Sequence, residues 1–456
     1  MQVEKNKGIA KIFDTPNEQF QKVENIKNDS YHKWGNTKFE LPIFNQINKY
    51  SHFDYQQQKI FLKSNRIVKN ALRNKSLNCT NKNKIDKTIH LFPEICPKCN
   101  QVSNNFKLVK RGELVTIDIK STKNGIRKMI TLYKGGQYKC CNCKKIFSPK
   151  KLKKGPQYGH NLIAWAINLQ IQYNISCAKT TDIIRDSFNI QVSTTKMWEF
   201  KPYMANKYKE TYEEIISMVV TGNLLHIDET KSSIRDVSSG YVWVFTNMNS
   251  VFYLFRQNRE ADFLKDMLSN FKGVLVSDFY TGYDAIPCSQ QKCLIHLIRD
   301  LNNDLLKNQL NADFKNFVSN FGDLLQKIIG TVNKYGLKKR NLNKHNKDVN
   351  RFYSNFVDKH SDDELLLSYQ TRFQKNKDKL FTFLNYNDIP WNNNNAEHAI
   401  KPFAYYRRDN EKQITEAGIN DYLILLSIQQ TCKYRGINFF DFLKSGELNV
   451  SEYEKK

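Results

Sequence analysis

Between residues 222 and 300 the apolar positions fall into short blocks with strand character rather than the 3.6-residue spacing of helices. Residues 224–228 read as a strand. Residues 241–245 and 251–255 read as a hairpin around Asn247, Met248 and Asn249. Phe263, Leu264, Met267, Leu268 and Phe271 have helical spacing over 261–271, and strands are expected at 274–278 and 291–295. From residue 301 to about 384 the period is helical, carried by Leu301, Leu305, Leu310, Phe314, Phe317, Phe321, Leu324, Ile328 and Val332, with a basic break at Lys338, Lys339 and Arg340. Further helices are expected at 421–433 and 439–443. Ahead of the strand-rich stretch, 161–173 and 177–188 read as helices, and Ser193 is placed to cap a third that begins at Thr194. A short helix, a turn and a capped helix suit a helix-turn-helix, and equally an ordinary three-helix packing unit. Residues 114–119 and 128–133 alternate about a turn at Lys123, Asn124 and Gly125, the pattern of a small β-ribbon.

Strand, hairpin, helix, strand is the opening order of a ribonuclease-H-like α/β fold. In that order the first and fourth strands are neighbours, which would bring Asp228 and Asp278 together at adjacent strand ends. The expected organisation is a basic, partly disordered arm over 1–89, a zinc ribbon over 90–150 and a helical segment over 155–220. The first part of the core follows over 221–300, then a helical insertion over 301–388, and the second part of the core over 389–456.

The 456 residues exceed one small core and suggest two to four domains. Apolar content of 40% and aromatic content of 12% are enough to fold them. A formal charge of +26, from 71 basic and 45 acidic residues, suits a polyanionic partner, because Lys and Arg neutralise phosphates and release counterions. An anionic membrane surface is a second such partner, but no run of about 18 apolar residues offers a spanning helix. The first residues lack the apolar core of a signal peptide, so an intracellular protein is expected, in the cytoplasm or nucleoid of a prokaryote. Its ten cysteines are then expected as thiols or metal ligands rather than disulfides.

Two CxxC pairs, Cys96 with Cys99 and Cys140 with Cys143, bracket the ribbon. Each offers two thiolates from one tight turn, the arrangement of a structural zinc site. Cys141 competes with Cys140 for the ligand position, and the usual spacing favours Cys140. Elsewhere two apolar runs end in acids, Asp228 and Asp278, and a third acid, Glu397, follows four asparagines and opens an apolar-periodic segment. Asn395 is expected to cap that helix, leaving Glu397 in its first turn. Three carboxylates form a cradle for two Mg²⁺ or Mn²⁺ ions, the cofactors of phosphodiester cleavage and transfer. Glu229 points away from Asp228 on a strand and is read as supporting or surface-exposed. His226 is read as a packing residue, and Cys293 with His296 as packing or orienting, since two ligands fall short of a site. His398 is read as a surface histidine, with DNA contact an alternative. Lys196, Lys401, Arg407 and Arg408 are the candidate phosphate contacts, with a solvated basic face the alternative.

The motifs His226-Ile227-Asp228-Glu229-Thr230, Gly240 to Phe245, Val274 to Tyr283, Cys293-Leu294-Ile295-His296 and Asn394 to Pro402 closely resemble the DDE transposases of the IS66 insertion-sequence family. Tyr158 through Trp198 is similar to that family's helical region, and the similarity runs from about Cys96 to Gly446. The resemblance implies Asp228, Asp278 and Glu397 as a catalytic triad, Mg²⁺-dependent cleavage of double-stranded DNA at element ends, and joining to target DNA. A homo-oligomer on DNA is expected, with accessory proteins open. The alternatives are a catalytically silent DNA-binding regulator on the same scaffold and a related nuclease, such as one acting on branched DNA.

Overall fold

The computed structural model describes residues 84–102, 106–154, 157–235, 237–410 and 413–455. The arm expected over 1–89 lies outside them as far as residue 83. The described residues form two compact units, 84–117 with 129–157, and 118–128 with 158–455.

Strands β1 (Lys87–His90), β2 (Phe106–Thr122), β3 (Gly125–Cys140) and β4 (Ile146–Phe147) form one sheet, with residues 118–128 of β2, β3 and their turn counted in the second unit. β3 is its centre, with β1 parallel on one side, β2 on the other, and β4 antiparallel at its far end. The two long arms extend well beyond the expected 114–119 and 128–133. Much of β2 is exposed on both faces, so the alternation that marks a half-buried strand fades while backbone pairing continues.

The second unit begins with four helices, α1 (His160–Gln172), α2 (Cys177–Phe188), α3 (Thr194–Lys207) and α4 (Lys209–Val220). Ser193 Oγ accepts from the Lys196 amide at 3.2 Å, so α3 starts where its cap was expected. Helix α1 is capped differently. Its N-cap, Gly159, has no side chain to offer, and Asp118 Oδ1 accepts the Leu162 amide at 2.8 Å. A Cβ on Gly159 would fall 2.1 Å from Asp118 Cγ, so this approach requires glycine.

Strands β5 (Leu224–Ile234), β6 (Val237–Thr246) and β7 (Val251–Arg256) follow, then α5 (Asp262–Met267), β8 (Val274–Ser277) and β9 (Ser289–Lys292). The sheet order is β7-β6-β5-β8-β9. β5, β6 and β7 are antiparallel neighbours, whereas β8 runs parallel to β5 and β9 parallel to β8. The strand expected at 291–295 ends early, at Lys292. Leu294 opens helix α6 (Leu294–Lys307), its amide bonded to the Trp391 carbonyl at 3.0 Å.

Helices α7 (Ala312–Tyr335), α8 (Asn346–Phe352) and α9 (Glu364–Lys375) are the longest of the segment between α6 and the third acid. Their core is continuous with the sheet. Val274 and Val276 of β8, Leu297 of α6, Phe317 and Phe321 of α7, Phe352 and Phe373 all belong to one buried cluster. The chain closes with α10 (Asn394–Asn410), α11 (Glu416–Tyr434), α12 (Phe439–Ser445) and α13 (Val450–Glu454). α11 covers the edge strand β7. Thr431 Oγ1 accepts the Val251 amide and Ser427 Oγ the Tyr253 amide, each at 3.0 Å, so donors that would otherwise lie open on an edge are paired. Among the described residues no helix is long and apolar enough to cross a membrane.

Candidate active site and metal centres

The sulfur atoms of Cys96, Cys99, Cys140 and Cys143 all lie within 4.8 Å of one another. Cys96 to Cys143 is 3.5 Å and Cys99 to Cys140 is 3.6 Å. A tetrahedral zinc with Zn–S of about 2.3 Å separates its sulfurs by about 3.8 Å, so the set fits that ion. The two knuckles are alike in build. The Asn100 amide bonds the Cys96 carbonyl and the Lys144 amide the Cys140 carbonyl, each at 3.0 Å. Asn100 and Lys144 both take a left-handed backbone, with φ of 54° and 60°. Against the burial that would raise it, the Lys98 and Cys99 amides and neighbouring thiols bring the Cys96 thiol down to about 6. Cys141 is exposed and outside the cluster, so Cys140 is the cysteine that the geometry selects.

β5 and β8 pair in the register Leu224 with Val274, Leu225 with Leu275 and His226 with Val276. Two residues further, Asp228 is level with Asp278. β8 stops at Ser277, so Asp228 lies where β5 loses its parallel neighbour. It is not a strand end as expected. β5 runs on to Ile234 because β6 continues alongside, pairing Asp228 with Val244 and Thr230 with Val242. Asp228 Oδ1 accepts the Glu229 amide and Asp278 Oδ1 the Tyr280 amide, each at 2.9 Å. Burial, reinforced by the charges of Glu229, Asp278 and Glu397, pushes the Asp228 carboxyl up to about 7. Among the described residues the ligand atoms of Asp228, Asp278 and Glu397 do not all lie within 4.8 Å of one another, and Glu397 groups at that distance with Cys293 and His296.

Glu397 lies in the first turn of α10, with its amide bonded to the Asn393 carbonyl at 3.2 Å. The expected cap, Asn395, is instead inside the helix. Its Nδ2 donates to the Asn247 carbonyl at 3.0 Å and its Oδ1 accepts from Tyr434 at 2.7 Å. Asn393, directly before the helix, is the buried asparagine, and its Nδ2 donates to the Ile227 carbonyl at 2.8 Å. Glu397 Oε1 is buried with no hydrogen-bond partner, and His296 Nε2 lies 3.8 Å from it.

A family model described as the transposase IS66 family matches residues 155–420, a span that holds all three acids. The chain belongs to this family. Among curated proteins no significant match is found. The Cys₄ cluster of this IS66-family chain lies outside the matched span and rests on its own geometry.

The remaining candidate residues of the IS66-family chain divide by what they touch. Glu229 is not a surface group. Its side chain is 3% exposed, takes a 2.8 Å bond from Arg259 Nε and also accepts from Tyr283. Burial holds His226 at about 4, hence neutral, with Nδ1 3.0 Å from Asn393 Oδ1. Arg407 donates to Thr230 Oγ1 at 2.8 Å and to the Lys231 carbonyl, fastening α10 to β5. Lys401 lies 3.2 Å from His398 Nδ1, and Arg408 3.4 Å from Asp409, both on exposed turns of α10. Lys196 pairs with Glu199 at 2.6 Å on the solvent side of α3, whose other face is buried. Sequence reasoning missed Asn393, hidden in a run of four asparagines. It also missed the contribution of Glu397 to the Cys293 and His296 pair, a third donor that lies far along the chain.

Proposed function

We propose that this chain cleaves DNA at the ends of a mobile element and joins those ends to target DNA, with Asp228, Asp278 and Glu397 holding the catalytic metal ions. The sheet order β7-β6-β5-β8-β9, with its antiparallel and parallel halves, supports a ribonuclease-H-like core for this chemistry. The observation that carries the reading is the register of β5 and β8, which sets Asp228 level with Asp278. Asp228 and Asp278 lie level where β8 ends, burial and the charges of Glu229, Asp278 and Glu397 push the Asp228 carboxyl up, and one oxygen of Glu397 is buried without a partner. Such a cluster is costly unless a cation neutralises it. Its donors are all carboxylate oxygens, which suit Mg²⁺ or Mn²⁺. When bound, two such ions activate the attacking oxygen and stabilise the leaving one.

The chain's own residues fix where this happens. Asp228 and Asp278 are set by backbone register and by amides bonded to their side chains. Glu397 is delivered by the helix that Asn393 ties to β5. Glu229, engaged with Arg259 and Tyr283, places a fixed negative charge beside Asp228. The 90–150 ribbon, the 155–220 helices and the exposed basic groups of α10 would each bind DNA.

The test is Asp278→Asn in the full chain, on linear DNA bearing element ends. Mg²⁺-dependent cutting should disappear while salt-dependent DNA binding remains. A variant that still cuts would overturn the site assignment. Wild-type binding with no cutting in Mg²⁺ or Mn²⁺ would point to a silent regulator, and cutting confined to branched DNA to a different nuclease.

A further inference from the structure

Cys293 is the N-cap of α6 and His296 lies in its first turn, three residues on, so both project from one side of the helix start. Glu397 arrives from α10. One ligand atom from each of the three lies within 4.8 Å of the other two. Glu397 Oε1 is buried without a hydrogen-bond partner, and His296 Nε2 faces it at 3.8 Å. The thiol is held in place, since Cys293 Sγ accepts the Asn393 amide at 3.2 Å. A buried, unpaired carboxylate oxygen with an imidazole nitrogen and a thiol gathered around it suits an ion.

We propose that Cys293, His296 and Glu397 form a second metal site, selective for Zn²⁺, that withdraws Glu397 from the acid cluster and switches off Mg²⁺-dependent cutting. The switching half rests on the catalytic reading of Glu397, and the metal site does not. One sulfur, one nitrogen and one oxygen are a zinc donor set, with a fourth position left for water. Mg²⁺ prefers oxygen alone, so the site discriminates between the two ions. Zinc bonds of about 2.0–2.3 Å place tetrahedral ligands about 3.3–3.8 Å apart. His296 Nε2 and Glu397 Oε1 already stand at 3.8 Å, and the Cys293 sulfur lies within 4.8 Å of the ligand atoms of both partners. Binding converts the Cys293 thiol to thiolate and releases its proton to buffer, with no change of oxidation state.

The experiment uses the full chain with its ribbon zinc in place, exposed to added Zn²⁺ and then analysed for metal content. Wild type should hold two zinc ions per chain. Cys293→Ser and His296→Ala should each hold one, with thermal melts confirming that both variants are folded. Cobalt titration adds an optical reading, with a thiolate-to-cobalt band gained by wild type and not by Cys293→Ser. In Mg²⁺-dependent cleavage, added Zn²⁺ should slow wild type at least tenfold at a concentration that leaves Cys293→Ser unaffected. A folded wild type that takes up only the ribbon zinc overturns the site. Equal inhibition of wild type and Cys293→Ser overturns the switch. Wild type that fails to cut without added zinc overturns the catalytic reading and the switch with it, while the zinc count still decides the site.

Discussion

Asn393 donates its side-chain amide to the carbonyl of Ile227 at 2.8 Å, one residue before Asp228. Its Oδ1 faces His226 Nδ1 at 3.0 Å, and its backbone amide reaches the Cys293 sulfur at 3.2 Å. His226 is neutral, and with Nδ2 committed to Ile227 the Asn393 oxygen is the acceptor, so the imidazole proton sits on Nδ1. One asparagine thereby joins β5, the start of α6 and the start of α10. Asn393→Ala would leave a buried carbonyl and a buried ring N–H unpaired, for a loss of roughly 2–4 kcal/mol. Urea unfolding of the variant measures this, and a loss under about 1 kcal/mol would mean that water or a local shift satisfies both groups.

The raised carboxyl of Asp228 predicts a proton linked to metal binding. Mg²⁺ must displace that proton, so apparent affinity should fall about tenfold per pH unit below pH 7 and level off above it. The sign for stability without divalent ions is the reverse of the usual carboxylate case. The folded chain keeps a proton up to about 7 that the unfolded chain releases near about 3.9. Folded protein binds more protons in that window, and stability should decline as pH rises through it. Asp228→Asn should flatten this slope. Glu229→Gln removes a neighbouring charge and should move the midpoint of Mg²⁺ binding to lower pH. An unmoved midpoint would show that Glu229 does not act on Asp228.

Removing a zinc ligand should be far more damaging than removing the neighbouring thiol. Structural zinc contributes about 10–16 kcal/mol of apparent binding energy in small zinc-finger peptides. Cys140→Ser is therefore expected to lose its zinc and expose the first unit to protease. Cys141→Ser, altering an exposed residue, should keep both zinc and protease resistance. Elemental analysis after limited proteolysis reads both, and metal loss in Cys141→Ser would reverse the ligand assignment.

Neighbouring arginines of α10 should behave differently. Arg408 is exposed, so the double variant Lys401→Ala/Arg408→Ala should weaken DNA binding and reduce the salt slope by up to about two, near 0.9 per phosphate contact. Arg407→Ala cuts the tie to Thr230 and should lower stability without changing that slope. A slope change in Arg407→Ala alone would assign the phosphate contact to it instead.

The parts legible from sequence were those with a local cause. Asp228 and Asp278 end apolar runs, the cysteine knuckles repeat one spacing, and Ser193 caps α3 as its hydroxyl predicts. Four consecutive asparagines are locally equivalent, and only the docking of α10 on β5 decides that Asn393 is the buried one. Lys292 hid the true end of β9. It is 1% exposed and paired with Asp284 at 3.1 Å, a buried cation that no apolar pattern can reveal. The Cys293, His296 and Glu397 cluster was invisible because its third donor comes from a helix beyond the whole insertion.

That order of elements has a consequence in time. A ribosome releases β5 and β8 well before α10, and between them come the helices whose core is continuous with β8. A partly synthesised chain can hold Asp228 and Asp278 in register while Glu397 is still in the exit tunnel. On the proposed assignment such a chain is inert towards the DNA beside it, and it becomes competent only when α10 has emerged and Asn393 has docked.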